Sequence, residues 1–428
     1  MNELYPGCYG ATLANGLRVL VEPRPDRPLS LGIWARLGSR DEPAERAGIT
    51  HFLEHMVFKG TTRRTAFQIS EEIDALGGYL NAVTSKEYTA YYVDVLPEHL
   101  EDALDVLADL VRNPLFRPED IEREKGVVLE EIRMQEDDPQ DRVFELFSER
   151  LWDGDHPLAR PITGRAETVS RFTRDDLLER FALYDAERLF VVAVGGVEPE
   201  RVYKAVEAQL GDLGVAPKAL PGRTPPTPRG GLHLEDRDLQ QAHVCLGTAG
   251  VGQHDPRRYA LELLNAILGG GMSSRLFKRI REELGLAYAV VSSASYFSDC
   301  GSFVIYLGTE PKNAPQAVEI CREEIEKLVQ EPVPPDELER AKEKLKGNLL
   351  LGLEGSHARM MRLGVSEIYG THRPLDEVLA RLRAVTAEDV QQLAQDVFGR
   401  NELLLAVVGP ARELTALERA FPTALSSE

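Results

Sequence analysis

The second half of this chain repeats the first, and that repeat sets the narrowest limit on how it can fold. Phe67 in RRTAFQISEEIDALGG matches Phe277 in SSRLFKRIREELGL. PEHLEDALDVLADLV answers PKNAPQAVEICREEIEKLV. FRPEDIEREKGVVLEEI answers VPPDELERAKEKLKGNLL, which sets Pro118 against Pro335 and Arg123 against Arg340. Similarity over so many consecutive elements means one architecture built twice. At 428 residues the chain also exceeds the size at which a single core stops growing. The expected boundaries are residues 1–215 and 232–428, on either side of 216–231. That segment, APKALPGRTPPTPRGG, holds five prolines and reads as a stiff linker.

Within the first half, strand and helix periods alternate. A hairpin is expected from Tyr9–Leu13 and Leu17–Glu22 around an Asn15-Gly16 turn. Leu29–Leu37, Tyr79–Thr84, Tyr88–Leu96 and Leu189–Val197 follow as strands rich in Val, Tyr and Thr. Helices are expected near residues 49–60, 66–76, 97–111, from Pro118 onward and at 198–210, and the second half closes on a strand at Glu402–Val408. The fold class is α+β, two homologous halves each layering helices on a sheet.

One stretch carries chemistry. In GITHFLEHMVFKG, His51 and His55 lie four apart on a helical pattern, so their rings share a face. Glu54 sits between them, three from His51. Two imidazoles at this spacing can chelate Zn²⁺, leaving positions for a carboxylate and a water, and Glu54 could take that water's proton. Left without partners in an apolar helix, the same three groups would be costly. A carboxylate ligand is sought on the helix from Pro118. There Ile121, Glu124, Val128 and Glu131 form one stripe, and acids on an apolar stripe need a cation, a proton or a metal. Glu130 projects about 100° away and competes with Glu131; the stripe favours Glu131. In the repeat register His51 falls against Leu261, His55 against Asn265 and Glu131 against Asn348, so one half alone carries the site.

Composition narrows the partners. A formal charge of −20 argues against nucleic acid or an anionic membrane, both polyanions. The four cysteines are scattered with no CxxC, no signal-like amino terminus stands out, and no apolar run approaches a membrane span. The expectation is a soluble, cytoplasmic protein.

HFLEH, followed 76 residues after His55 by Glu131 in EREKGVVLEEI, resembles the inverted zinc motif of the pitrilysin (M16) metallopeptidases. The two-domain size is similar to the branch holding mitochondrial processing peptidase and its bacterial relatives. GGYLNAVTSKEYTAYY and SSRLFKRIREELGLAY extend the likeness over nearly the whole chain. The resemblance implies a clam-shell of two halves around a central cavity, and one Zn²⁺ per chain held by His51, His55 and Glu131. It implies Glu54 as general base, Glu124 as a support for the ligands, and Asn81 and Ala82 on a strand that pairs with the substrate backbone. It implies that Arg281 and Tyr288 contact substrate, and that Asp141 and Glu145 favour basic peptides. The activity implied is endopeptidase action on short or unfolded peptides, by a homodimer or by a heterodimer with a related subunit. The competing reading is a catalytically silent, partner-dependent subunit. A non-proteolytic zinc hydrolase would explain the ligands but not the Arg/Tyr pair.

Overall fold

The computed structural model describes residues 1–153, 156–215, 220, 222–399 and 402–421. Of the proline-rich segment, residues 216–219 and 221 lie outside the described residues. The others run without regular structure until a strand begins at Gly231. Among the described residues no helix is long and apolar enough to cross a membrane, and all four cysteines are free.

Twelve strands form two sheets. The first contains β1 (Asn2–Tyr5), β2 (Cys8–Thr12), β3 (Arg18–Pro23), β4 (Leu29–Ala35), β5 (Tyr79–Thr84), β6 (Thr89–Val95) and β7 (Leu189–Gly195). The second contains β8 (Gly231–Asp236), β9 (Ala242–Gly250), β10 (Ala287–Tyr296), β11 (Gly301–Thr309) and β12 (Leu404–Gly409). Their orders are β1-β2-β3-β7-β4-β6-β5 and, read from the matching edge, β8-β12-β9-β11-β10. Each sheet has one parallel pair, β3 with β7 and β8 with β12, and the remaining pairs are antiparallel. The expected duplication is therefore present strand for strand. β1 and β2 are additions to the first sheet, and β1 had no counterpart in the sequence reading.

The strand residues alternate between two cores, as side chains on successive positions must. In the first sheet Val19, Leu31, Ile33, Val191 and Ala193 join the larger core, which also takes in Phe52 and Leu53. Leu20, Trp34, Phe190, Val192 and Val194 face the other way and meet Met360 and Leu363. Those last two come from the helix Ser356–Ile368, contributed by the second sequence half. The second sheet does the reverse. Cys245, Leu404, Ala406 and Val408 pack on Val143, Leu146 and Phe147 from the helix Pro139–Leu151 of the first half. Each compact unit thus includes one helix from the other half: Leu350–Pro374 belongs with the first unit and Met134–Arg160 with the second. Burial on both faces explains why LSLGIWA, LFVVAVG and LLAVVG read as continuous apolar runs.

Small residues admit the exchanged helices. A Cβ on Gly32 of β4 would stand 3.1 Å from Met360 Sδ, and one on Gly247 of β9 would stand 2.9 Å from the Phe147 ring. On the helix side, a Cβ at Gly364 would lie 2.3 Å from ring carbons of the fully buried Trp34. Gly364→Ala should therefore destabilise the protein by about 1–3 kcal/mol through overpacking. Gly126→Ala, where nothing lies within 4 Å, should stabilise it by up to about 1 kcal/mol as a helical Gly-to-Ala exchange. Urea unfolding of both variants measures this, and midpoints displaced in the same direction would contradict the packing described.

Candidate metal centre

The helix that carries HFLEH spans Ile49–Val57. Its start is set by Gly48, whose φ of 94° is a conformation that suits glycine. A Cβ there would also sit 2.6 Å from the Thr163 carbonyl oxygen. No side chain of the helix itself caps it. Instead the carboxylate of Glu42, buried, accepts from the backbone N–H of Gly48 at 2.8 Å and of Thr50 at 2.7 Å, satisfying donors that a helix start leaves open. A carboxylate from the acidic stretch before the motif thus fixes the helix start. Phe52, Leu53, Met56 and Val57 enter the core, which leaves His51, Glu54 and His55 on the other flank.

That flank meets the helix Pro118–Asp137. Its buried residues are Ile121, Glu124, Val128 and Ile132. The stripe places Glu131 against the two rings: His51 Nε2 is 3.6 Å from Glu131 Oε1 and His55 Nε2 is 3.6 Å from Oε2. One ligand atom from each of the three residues lies within 4.8 Å of the others. Two ligands bonded to one tetrahedral zinc at about 2.0–2.2 Å stand about 3.4 Å apart, so the spacing fits such an ion. Glu130, the competing candidate, points out and pairs with Arg133 at 2.6 Å.

Hydrogen bonds hold the parts in place. Glu124 is buried and its Oε1 lies 2.9 Å from His55 Nδ1, while Lys59 Nζ donates to Oε2 at 2.7 Å. With Nδ1–H directed at Glu124, the lone pair of His55 Nε2 is free to face Glu131, the arrangement common around ligating histidines. Buried His51 Nδ1 has no such partner among the described residues. Burial, aided by the neighbouring His55, pulls the His51 pKa down to about 3. Burial also pulls on His55, but the bond to Glu124 and the charges of Glu124, Glu131 and Glu54 outweigh it and the net shift is upward. Burial raises Glu54, against a hydrogen bond from Thr84.

The other expected residues are distributed over both units. Asn81 and Ala82 lie on β5, an edge strand. There Asn81 Nδ2 donates to the Tyr79 hydroxyl at 2.6 Å, and Asn81 Oδ1 accepts from Ala82 N–H at 2.8 Å. Arg281 and Tyr288 lie in the second unit and meet each other, the guanidinium 4.7 Å from the ring centroid with Tyr288 exposed. Asp141 and Glu145 share the helix Pro139–Leu151, also in the second unit. Glu145 is 3.3 Å from Arg142, a guanidinium it shares with Glu149 at 3.2 Å and Glu235 at 2.9 Å, and burial pushes its carboxyl up. The sequence reading missed Glu42, Lys59 and Thr84. Lys59 follows His55 by four, a spacing that could have drawn attention to it.

Two family models match the chain: insulinase (peptidase family M16) over residues 18–165, and the peptidase M16 inactive domain over residues 171–345. An uncharacterized zinc protease of Streptomyces coelicolor is 43% identical over 95% of this chain and 90% of its own length. Another, of Bacillus subtilis, is 40% identical over 94% of this chain and 98% of its own. Among solved structures, a protease from Helicobacter pylori superposes with a TM-score of 0.89 at 22% identity, covering 95% of this chain and all of that one. That last likeness speaks to the fold.

The two pKa shifts have a measurable consequence. His51, held low, is neutral and ready to ligate at any pH above about 4, whereas His55, held above 6.5, carries a proton below that range. Zn²⁺ affinity should therefore fall about tenfold between pH 6.5 and 5.5, the slope of one proton displaced per ion. Zinc titrations across this range measure the slope. A slope that steepens from about one towards two protons by pH 5.5 would show that both rings titrate normally.

Proposed function

The chain belongs to the M16 peptidase family, and from that premise we propose that it is a zinc-dependent endopeptidase acting on short or unfolded peptides. The observation that carries the reading is the approach of His51 Nε2 and His55 Nε2 to the two oxygens of Glu131. One Zn²⁺ per chain would be held by these three side chains. When bound, it supplies Lewis acidity to a scissile carbonyl and acidifies an attacking water. Glu54, in the same helix, takes that water's proton on its carboxylate and returns it to the departing amine nitrogen. Its raised pKa suits both directions of transfer. Glu124 keeps the His55 ring turned toward Glu131 and is itself matched by Lys59.

An extended peptide is the natural partner of β5, which closes one edge of its sheet. Backbone pairing there would draw on Asn81 and Ala82, and affinity would come from the main chain more than from side chains. Arg281 and Tyr288 are assigned to substrate by the family resemblance. A motif-bearing half and that pair stand on one chain, so the assembly we propose is the chain itself or a homodimer of it. The alternative, a silent subunit that needs a partner, becomes an outcome of the test.

Purified chain should cleave a quenched peptide, lose activity to a chelator and regain it with Zn²⁺. Glu54→Gln should retain metal while kcat falls by at least about 100-fold, the scale of a lost general base. Activity untouched by that substitution would defeat the role given to Glu54, and no cleavage by the loaded wild-type chain would favour the silent subunit. Preference for basic peptides, proposed through Asp141 and Glu145, predicts faster cleavage of a basic library than of a matched acidic one. Equal rates would remove it.

A further inference from the structure

We propose that Thr84 is a positioning residue for Glu54, so that the strand offered to substrate also sets the orientation of the base. This rests on the peptidase reading above. Thr84 is the last residue of β5, and its hydroxyl donates to Glu54 Oε2. Among the described residues it is the hydrogen-bond donor to that carboxylate.

Several features make this contact more than a polar group finding a partner. The terminal torsion of a glutamate is broad and nearly two-fold, so an unheld carboxylate turns readily. A donor on one oxygen decides which oxygen remains for a water. With Thr84 on Oε2, Oε1 has no protein donor among the described residues and is the atom available to receive the proton. The donor is itself stiff. Threonine is branched at Cβ and restricted at χ1, and Thr84 is only 9% exposed. Its strand partner Thr89 is anchored in turn, its hydroxyl donating to the Leu37 carbonyl at 2.9 Å. Along β5, Leu80 and Ala82 pack toward the core beneath the motif helix, and Thr84 continues that face. Asn81, on the opposite face, keeps the same strand's outward edge in order through its bonds to Tyr79 and Ala82.

Two of the site's three carboxylates are thus oriented by separate devices. Glu124 is fixed between His55 and Lys59 on the metal side, and Glu54 is fixed by the substrate strand. Thr84 has no hydrogen bond or ion pair to His51, His55 or Glu131 among the described residues, so its effect on rate passes through Glu54.

The test compares Thr84→Val, which keeps shape and loses the hydroxyl, with Thr84→Ser, which keeps the hydroxyl, in the full-length zinc-loaded protein. Thr84→Val should lower kcat by about 10- to 100-fold, the scale of a reacting group displaced by about an ångström. KM and the zinc-to-protein ratio should stay within about twofold, and Thr84→Ser should restore kcat to within about threefold. Added to Glu54→Gln, Thr84→Val should change nothing further, because a residue acting through another has no effect once that one is gone. Wild-type kcat in Thr84→Val would overturn the proposal, as would a loss of zinc, a raised KM or a further loss in the double variant. Should Thr84→Val not fold, Thr84→Ala against Thr84→Ser decides by the same readings. A wild-type chain without chelator-sensitive cleavage would overturn the peptidase reading and this proposal with it. Cleavage by the wild type with equal kcat in the valine variant would overturn this proposal alone.

Discussion

Two histidines and three glutamates share one half-buried space between two helices, and that space is tolerable only if its charges are answered. Glu124 is the member with least access to water, and it is answered twice, by His55 at 2.9 Å and by Lys59 at 2.7 Å. That pairing outweighs burial and holds its carboxyl below the usual range. Without those partners the buried carboxylate would cost several kcal/mol and would take up a proton or reorganise the helices. His55 is fixed by the same bond, so the geometry of the site and the packing of the helix Pro118–Asp137 are one problem. Glu131, less buried and facing both Nε2 atoms, is the group whose charge a divalent ion would answer.

How much of this was legible follows from what each residue's neighbours are. The pairing of His51 with His55 depends on helical spacing alone, and so could be read directly. Glu131 was separable from Glu130 because the stripe through Ile121 and Val128 is a periodic signal; the structure turns Glu130 outward to Arg133. Glu42 and Thr84 left no such trace. Each reaches the motif helix from another segment, and a contact across the fold has no period in the sequence. Glu42 lies in a stretch whose turn residues disguised a buried carboxylate, and Thr84 looked like one more β-branched strand residue.

The duplication was legible for a similar reason: pairs such as Pro118 and Pro335 recur with whole elements around them. The exchange of helices was not. The amphipathic pattern of Pro139–Leu151 says that one face is buried, but nothing in it says which sheet covers that face. The apolar runs of β4, β7 and β12 were the available hint, since strands buried on both faces require a second covering layer. Within the repeat, the second copy has put its positions to other use. Asn265, which the repeat register sets against His55, accepts from the Ser292 hydroxyl at 2.6 Å, a structural contact.

We propose that two imidazole nitrogens and a carboxylate of one unit grip a single divalent ion. X-ray absorption at the zinc edge, on the loaded full-length chain, addresses it most directly. The expected spectrum is a low-coordinate shell of nitrogen and oxygen at about 2.0–2.2 Å, with outer scattering from two imidazole rings that drops to one in His55→Ala. A shell containing sulfur, or one of oxygen alone with no imidazole scattering, would contradict it.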